Sequence, residues 1–211
     1  MTRPTMNNVS ERDVAGLLAS AAADADILDR LHERLEEAAI RDGLLDVAYT
    51  RIDTPVGSLL LAATERGLVR VAYDRENHDT VLETLAARLS PRILHAPQRL
   101  EPAVRQIDEY FAGSRLQFDL PLDFALSHGF RQTVQRHLSH IAYGRTESYK
   151  QVAVQVGSPN AVRAVGTACA TNPLPVVVPC HRVLRTDGTI GKYVGGPDAK
   201  THLLHLESAA A

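Results

Sequence analysis

Cys180 directly precedes His181 in the run Asn172-Pro173-Leu174-Pro175-Val176-Val177-Val178-Pro179-Cys180-His181-Arg182-Val183. A thiol attacks as its thiolate, and an adjacent imidazole is one way to generate it. Pro173, Pro175 and Pro179 each fix φ and remove a backbone donor. The stretch therefore cannot lie inside a helix and reads as a rigid, extended segment that delivers a thiol to a fixed point. A lone cysteine is more often an inert packing residue, and the Cys-His pair alone leaves that alternative open. The other cysteine is Cys169. Two cysteines are too few for a disulfide framework or a four-cysteine zinc site, and they suit a reducing cytosol.

The elements that must position this thiol can be read on either side of it. Tyr149–Val156 is predicted as one helix, Gly157-Ser158-Pro159 as a tight turn, and Asn160–Ala170 as a second helix with Pro159 in its first turn. That is a helix-turn-helix pattern. The second helix, Ala161-Val162-Arg163-Ala164-Val165-Gly166-Thr167-Ala168, is rich in small residues and carries a single charge. A major-groove reader offers several long polar side chains to base edges. Small residues instead permit close backbone approach to a shallow minor groove, where binders insert a side chain and disturb stacking.

Further upstream, Phe130–Ile141 has helical spacing, and Phe118–Leu122 reads as an extended connector. Strand-like runs Val47–Ile52, Leu59–Ala63 and Leu68–Tyr73 form an antiparallel meander. Helices are predicted over His78–Leu89 and Leu100–Phe111, with the segment between them, carrying Pro91 and Pro97, as a loop. Residues 1–9 read as disordered. Ser10-Glu11-Arg12-Asp13 reads as a capping-box start before Val14, Leu17 and Leu18, and a second helix from Asp26 places Ile27, Leu28, Leu31, Leu35 and Ala38 on one face, with Gly43 as its stop. The expected division is a helical extension over 1–44, an N-terminal domain over 45–122 and a C-terminal domain over 123–211. The extension is expected to pack as a helix pair.

Taken together, these motifs resemble the O6-alkylguanine-DNA alkyltransferases, the methylated-DNA–protein-cysteine methyltransferase family. The resemblance rests on Asn172-Pro173, Pro179 to Val183, Gly191-Lys192-Tyr193-Val194-Gly195-Gly196 and Lys200 to Glu207, in that order and without a gap. Upstream, Ser148 to Ala153 and Ala161 to Gly166 also match. It covers roughly residues 128–208.

The fold it implies is α/β. A small antiparallel-sheet, ribonuclease-H-like N-terminal domain is followed by a mostly helical, helix-turn-helix (winged-helix-like) C-terminal domain, behind the helical extension. The implied activity is repair: O6-alkylguanine, chiefly O6-methylguanine, with O4-alkylthymine as a second class, is flipped out of duplex DNA and its alkyl group passes irreversibly to Cys180.

By the same resemblance His181 acts as base through a water, Glu207 orients it, Asn172 braces the turn, and the Tyr149 phenol donates to guanine N3. Arg163 enters the base stack, and Ala161, Val162 and Gly166 lie on the approaching face, while Lys150 and Ser158 reach phosphate. Tyr193, Val183, Val194, Gly195 and Pro175 form the alkyl pocket, Pro175 near its mouth, and the backbone carbonyls of Cys180 and Val183 read the guanine amino group. Two positions depart from the family pattern: Gln135 replaces a usual tryptophan, and Val194 a frequent serine.

The thioether product has no evident reductant, so one turnover is expected, with no metal and no organic cofactor. The expected partner is double-stranded DNA, bound in the minor groove with weak sequence preference by a monomer, with cooperative binding left open.

Composition narrows the alternatives. The 23 basic and 25 acidic residues give a net charge of −2, so a DNA role rests on a local surface rather than on bulk charge. No apolar run reaches membrane-spanning length and no signal-peptide core is present. A bacterial or archaeal cytoplasm, near the nucleoid, is the expected location. A transcription regulator is disfavoured by the near-neutral second helix. A cysteine hydrolase commonly keeps its cysteine and base far apart in sequence. A non-catalytic damage-recognition module of the alkyltransferase-like kind would lack the cysteine that stands at 180.

Overall fold

The computed structural model describes residues 27–209 apart from 29 and 33. The expectations for residues 1–9, the Ser10 cap and the Val14, Leu17, Leu18 stripe lie outside the described residues. The chain divides into two compact units, Met1–Leu44 and Leu45–Ala211. In the first, residues 27–28, 30–32 and 34–41 are helical, and the helix stops at Gly43, whose φ of 66° is the left-handed conformation that glycine tolerates.

The second unit opens with the expected meander: β1 (Val47–Thr54), β2 (Gly57–Thr64) and β3 (Gly67–Tyr73). β1 and β2 pair antiparallel from Thr54 opposite Gly57 to Ala48 opposite Ala63, and β2 pairs antiparallel with β3 through a bulge at Ala62 and Ala63. The run Leu59-Leu60-Leu61-Ala62 is fully buried. Such an unbroken apolar run marks a strand covered on both faces.

Helix α1 (His78–Arg88) packs Val81 and Leu85 against Leu60, Ala62, Val69 and Ala72. Helix α2 (Pro97–Phe111) packs on β1 and β2. It starts earlier than expected because Pro97 sits in its first turn, where a missing N–H costs nothing.

The segment read as a loop contains a strand, β4 (Ile93–His95), parallel to β1 with Val47 opposite Ile93, so the sheet order is β3-β2-β1-β4. Three residues between prolines are too short to show alternation, and only the β1 edge selects them.

The connector after α2 is pinned to β3. Leu68 N–H donates to the Pro121 carbonyl at 2.9 Å and Asp123 N–H to the Leu68 carbonyl at 2.9 Å. A Cβ on Gly67 would lie 2.1 Å from the Pro121 oxygen, so this crossing requires glycine.

Three helices follow: α3 (Gly129–Leu138), α4 (Tyr149–Gln155) and α5 (Val162–Ala170). Ser148 caps α4 by accepting from the Gln151 N–H at 3.2 Å, while the Gln151 side chain accepts from the Ser148 N–H at 2.7 Å. Pro159 lies in the turn rather than in the first turn of α5. The Ala161 N–H closes that turn on the Ser158 carbonyl at 2.9 Å, and α5 begins only at Val162. Gln135 is fully buried and donates to the Ala168 carbonyl on α5 at 3.1 Å, tying α3 to α5 through an amide.

The chain ends in a two-residue strand pair, β5 (Glu147–Ser148) with β6 (Val183–Leu184), and helix α6 (Gly196–Ala209). The architecture is the expected α/β one: a four-stranded sheet domain followed by a helical domain.

Candidate active site

The segment before the thiol is a turn, not the extended run expected. The Val178 N–H donates to the Leu174 carbonyl at 2.7 Å, and Val176 has φ 73°. A β-branched residue in that region costs roughly 1–3 kcal/mol and persists only where its surroundings impose it. The prolines exclude a helix, but they also permit this tight reversal.

Asn172 organises the turn. Its side-chain oxygen accepts from Leu174 N–H at 3.0 Å, and its amide nitrogen donates to the Val178 carbonyl at 2.8 Å and to Cys180 Sγ at 3.2 Å. Cys180 then opens a 3₁₀ turn, Cys180–Arg182, whose three residues are all buried. Burial pushes the Cys180 thiol up to about 11, against smaller opposing effects from the Asn172 hydrogen bond and the Lys200 charge. At neutral pH the resting group is therefore a thiol, and reaction requires a proton acceptor.

His181, fully buried, bonds through Nε2 to Glu207 Oε1 at 2.8 Å. A carboxylate only accepts, so Nε2 carries the proton and Nδ1 holds the lone pair. Nδ1 has no protein hydrogen-bond partner. Burial lowers the imidazole pKa, although the Glu207 hydrogen bond and charge oppose this, so the ring is a neutral base.

Glu207 receives further bonds. Arg182 approaches both oxygens, at 2.8, 2.9 and 3.1 Å, Tyr110 Oη donates at 2.7 Å and Gly144 N–H at 3.2 Å. Burial alone would raise this carboxyl; the hydrogen bonds and charges of His181 and Arg182 outweigh it and hold it at about 2.

The pocket residues come from other elements. Tyr193 is buried and edge-on to His181, with ring centroids 6.3 Å apart at 87°. Tyr149, the first residue of α4, fills the space beside Gly191, where a Cβ would sit 2.2 Å from its hydroxyl. Burial moves the Tyr149 phenol up to about 12, so it remains a donor at neutral pH. Val183 is buried and Val194 and Gly195 are half-buried. Pro175, expected near the pocket mouth, is itself buried, next to the reversal at Val176.

The two carbonyls expected to read guanine each accept one bond already: that of Cys180 from the Val183 N–H, that of Val183 from Lys200 Nζ. Each keeps a second lone pair.

The α5 surface is separate. Val162 and Arg163 are exposed, Ala161 and Gly166 half-buried, and a Cβ on Gly166 would meet nothing within 4 Å. Lys150 is exposed and Ser158 half-buried. Cys169 points into the core and burial raises its thiol. Among the described residues no group of three or more His, Cys, Asp or Glu could hold a metal ion, and no helix is long and apolar enough to cross a membrane.

Sequence reasoning missed Arg182, Lys200, Tyr110 and Tyr73. Arg182 and Lys200 stand inside the recognised motifs, and their full burial had no local signal. Tyr110 and Tyr73 belong to the other domain, and their pattern marks them only as core.

The DNA binding domain of 6-O-methylguanine DNA methyltransferase matches residues 129–209, and the ribonuclease-like domain of the same family matches residues 47–124. A Bacillus subtilis protein named constitutive methylated-DNA–protein-cysteine methyltransferase is 38% identical over 163 residues, covering 75% of this chain and 94% of its own. A Methanosarcina barkeri protein named methylated-DNA–protein-cysteine methyltransferase is 36% identical over 159 residues, covering 75% and 96%. The crystal structure of Mycobacterium tuberculosis O6-methylguanine methyltransferase superposes with a TM-score of 0.69 at 36% identity, and that of the Mycobacterium tuberculosis protein OGT in complex with DNA with 0.68 at 36%; each comparison covers 78% of this chain and 94% of the other.

Proposed function

The chain belongs to the 6-O-methylguanine DNA methyltransferase family, and from that premise we propose that it repairs DNA as a methylated-DNA–protein-cysteine methyltransferase whose acceptor is Cys180. The target nucleotide leaves the duplex for the pocket beside Tyr193 and Tyr149. Cys180 Sγ attacks the alkyl carbon, the sulfur–carbon bond forms, and the bond from that carbon to guanine O6 breaks. The thiol proton passes through a bridging water to His181 Nδ1, and Glu207 stabilises the imidazolium. The guanine anion that departs is stabilised at N3 by the Tyr149 phenol.

The observation that carries this reading is the fully buried Nε2–H to Glu207 bond of 2.8 Å, which leaves the Nδ1 lone pair on the residue next to a thiol too basic to ionise alone. The thioether product is stable, so each molecule turns over once. Arg163 enters the stack where the nucleotide has left, and Ala161, Val162 and Gly166 face the minor groove. Lys150 and Ser158 contact phosphate, which positions the protein without specifying sequence. The protein acts as a monomer in a bacterial or archaeal cytoplasm.

The test is intact mass after incubation with duplex DNA carrying one O6-methylguanine, beside a Cys180→Ala variant. The expected result is one stoichiometric methyl gain, mapped to the peptide containing Cys180 and absent from the variant. Tight lesion binding without a mass gain would replace this reading with that of a damage sensor.

A further inference from the structure

Tyr73 is the last residue of β3, in the sheet domain, yet it touches the loop that carries Tyr193. The two phenol oxygens lie 3.0 Å apart, and the rings meet edge to face with centroids 5.8 Å apart at 75°. Both side chains are buried, at 2% and 8% exposure, and Tyr73 is the one hydrogen-bond partner of the Tyr193 hydroxyl among the described residues. The Tyr73 ring also occupies the space above Gly195, where a Cβ would lie 2.5 Å from its Cζ. Next to it, Arg75 takes the space that a Cβ on Gly196 would fill, 2.3 Å from Nη1. The same strand reaches the other side of the thiol: Val71 N–H donates to the Pro173 carbonyl at 2.8 Å, and Arg70 Nη1 to the same oxygen at 3.2 Å. A domain that gives Cys180 and His181 no direct partner thus grips both the turn before the thiol and the loop after it.

We propose that Tyr73 is a positioning residue that sets the size of the alkyl pocket by fixing Tyr193 and the backbone at Gly195. The inference rests on reading Tyr193 as a wall of that pocket. A buried hydroxyl keeps its partner because leaving it unpaired is costly, and paired aromatic edges have preferred geometry. Tyr193 is therefore held against His181 rather than free to swing away. Without Tyr73 the ring and its loop gain room, and the pocket admits larger groups. The phenol pair has no role in the proton path, so methyl transfer itself persists.

The experiment is single-turnover transfer from duplex DNA containing O6-methylguanine or O6-benzylguanine, with wild type, Tyr73→Phe, Tyr73→Ala and, as a sheet-destabilised control, Leu60→Ala. The methyl-to-benzyl rate ratio is expected to fall by about tenfold in Tyr73→Ala, the scale of discrimination that pocket shape supplies, to fall less in Tyr73→Phe, and to stay at the wild-type value in Leu60→Ala. An unchanged ratio, or both rates falling in proportion as in the control, overturns the proposal. Where Tyr73→Ala does not fold, the ratio in the near-isosteric Tyr73→Phe decides. Wild type that transfers neither group to Cys180 overturns the reading of the site itself, an outcome distinct from transfer with an unmoved ratio.

Discussion

Glu207→Gln removes one charge from a site where three groups depend on it. The carboxylate is 2% exposed and faces the Arg182 side chain, 8% exposed, the His181 Nε2–H and the Tyr110 hydroxyl. Its pKa falls from the ordinary 4.5 to about 2, which corresponds to about 3 kcal/mol of stability. An independent route gives a similar figure, since stranding a buried charge by neutralising its partner costs roughly 3–5 kcal/mol. The variant should therefore be about 3 kcal/mol less stable at pH 7.

Because the folded-state pKa lies below the unfolded value, this contribution is complete above about pH 4.5 and is lost as the pH falls toward 2. The difference between wild type and variant should shrink over that window. Urea unfolding followed by far-UV circular dichroism measures it, a suitable probe because the chain has no tryptophan. The amide can also donate to His181 Nε2, which would move the ring proton to Nδ1 and remove the base. Methyl transfer should slow by roughly 10²–10⁴-fold, the usual contribution of general base catalysis. A stability difference below about 1 kcal/mol at pH 7, or one that persists unchanged at pH 2 to 3, would refute the electrostatic argument.

Three further outcomes are expected. With the thiol at about 11, His181→Ala should show transfer rates that rise about tenfold per pH unit from 7 to 10, as thiolate accumulates, whereas wild type stays flat; parallel profiles in single-turnover assays would exclude His181 as the proton acceptor. Gly166→Ala should raise stability by about 0.5–1 kcal/mol through helix propensity, since its Cβ meets nothing, while weakening DNA affinity; unchanged affinity would remove α5 from the DNA interface. Gly195→Ala should cost about 1–3 kcal/mol by overpacking against the Tyr73 ring, and that cost should vanish in a Tyr73→Ala background when a double-mutant cycle is measured by denaturation.

The sequence by itself determined what neighbouring residues encode. The β1–β3 meander follows from short apolar runs bounded by turn residues, and the α4–turn–α5 unit from two helical stretches around Gly157. Cys180 and His181 were legible because the motifs around them, in order from Asn172-Pro173 to Glu207, resemble a known family, and the small-residue face of α5 because composition is local.

Tertiary structure decided the rest. β4 exists because the β1 edge was open to three otherwise ambiguous residues. The reversal at Val176 is imposed by Asn172 and the packing around it, against the preference of a β-branched residue. Glu207 is defined by Arg182 and by Tyr110, 97 positions away in the chain, and Tyr193 by Tyr73, 120 positions away. Periodicity and turn chemistry act over a few residues and leave a mark in the local pattern. A buried charge or phenol acquires its partner only when distant elements close on it, and that partner fixes its ionisation and its orientation.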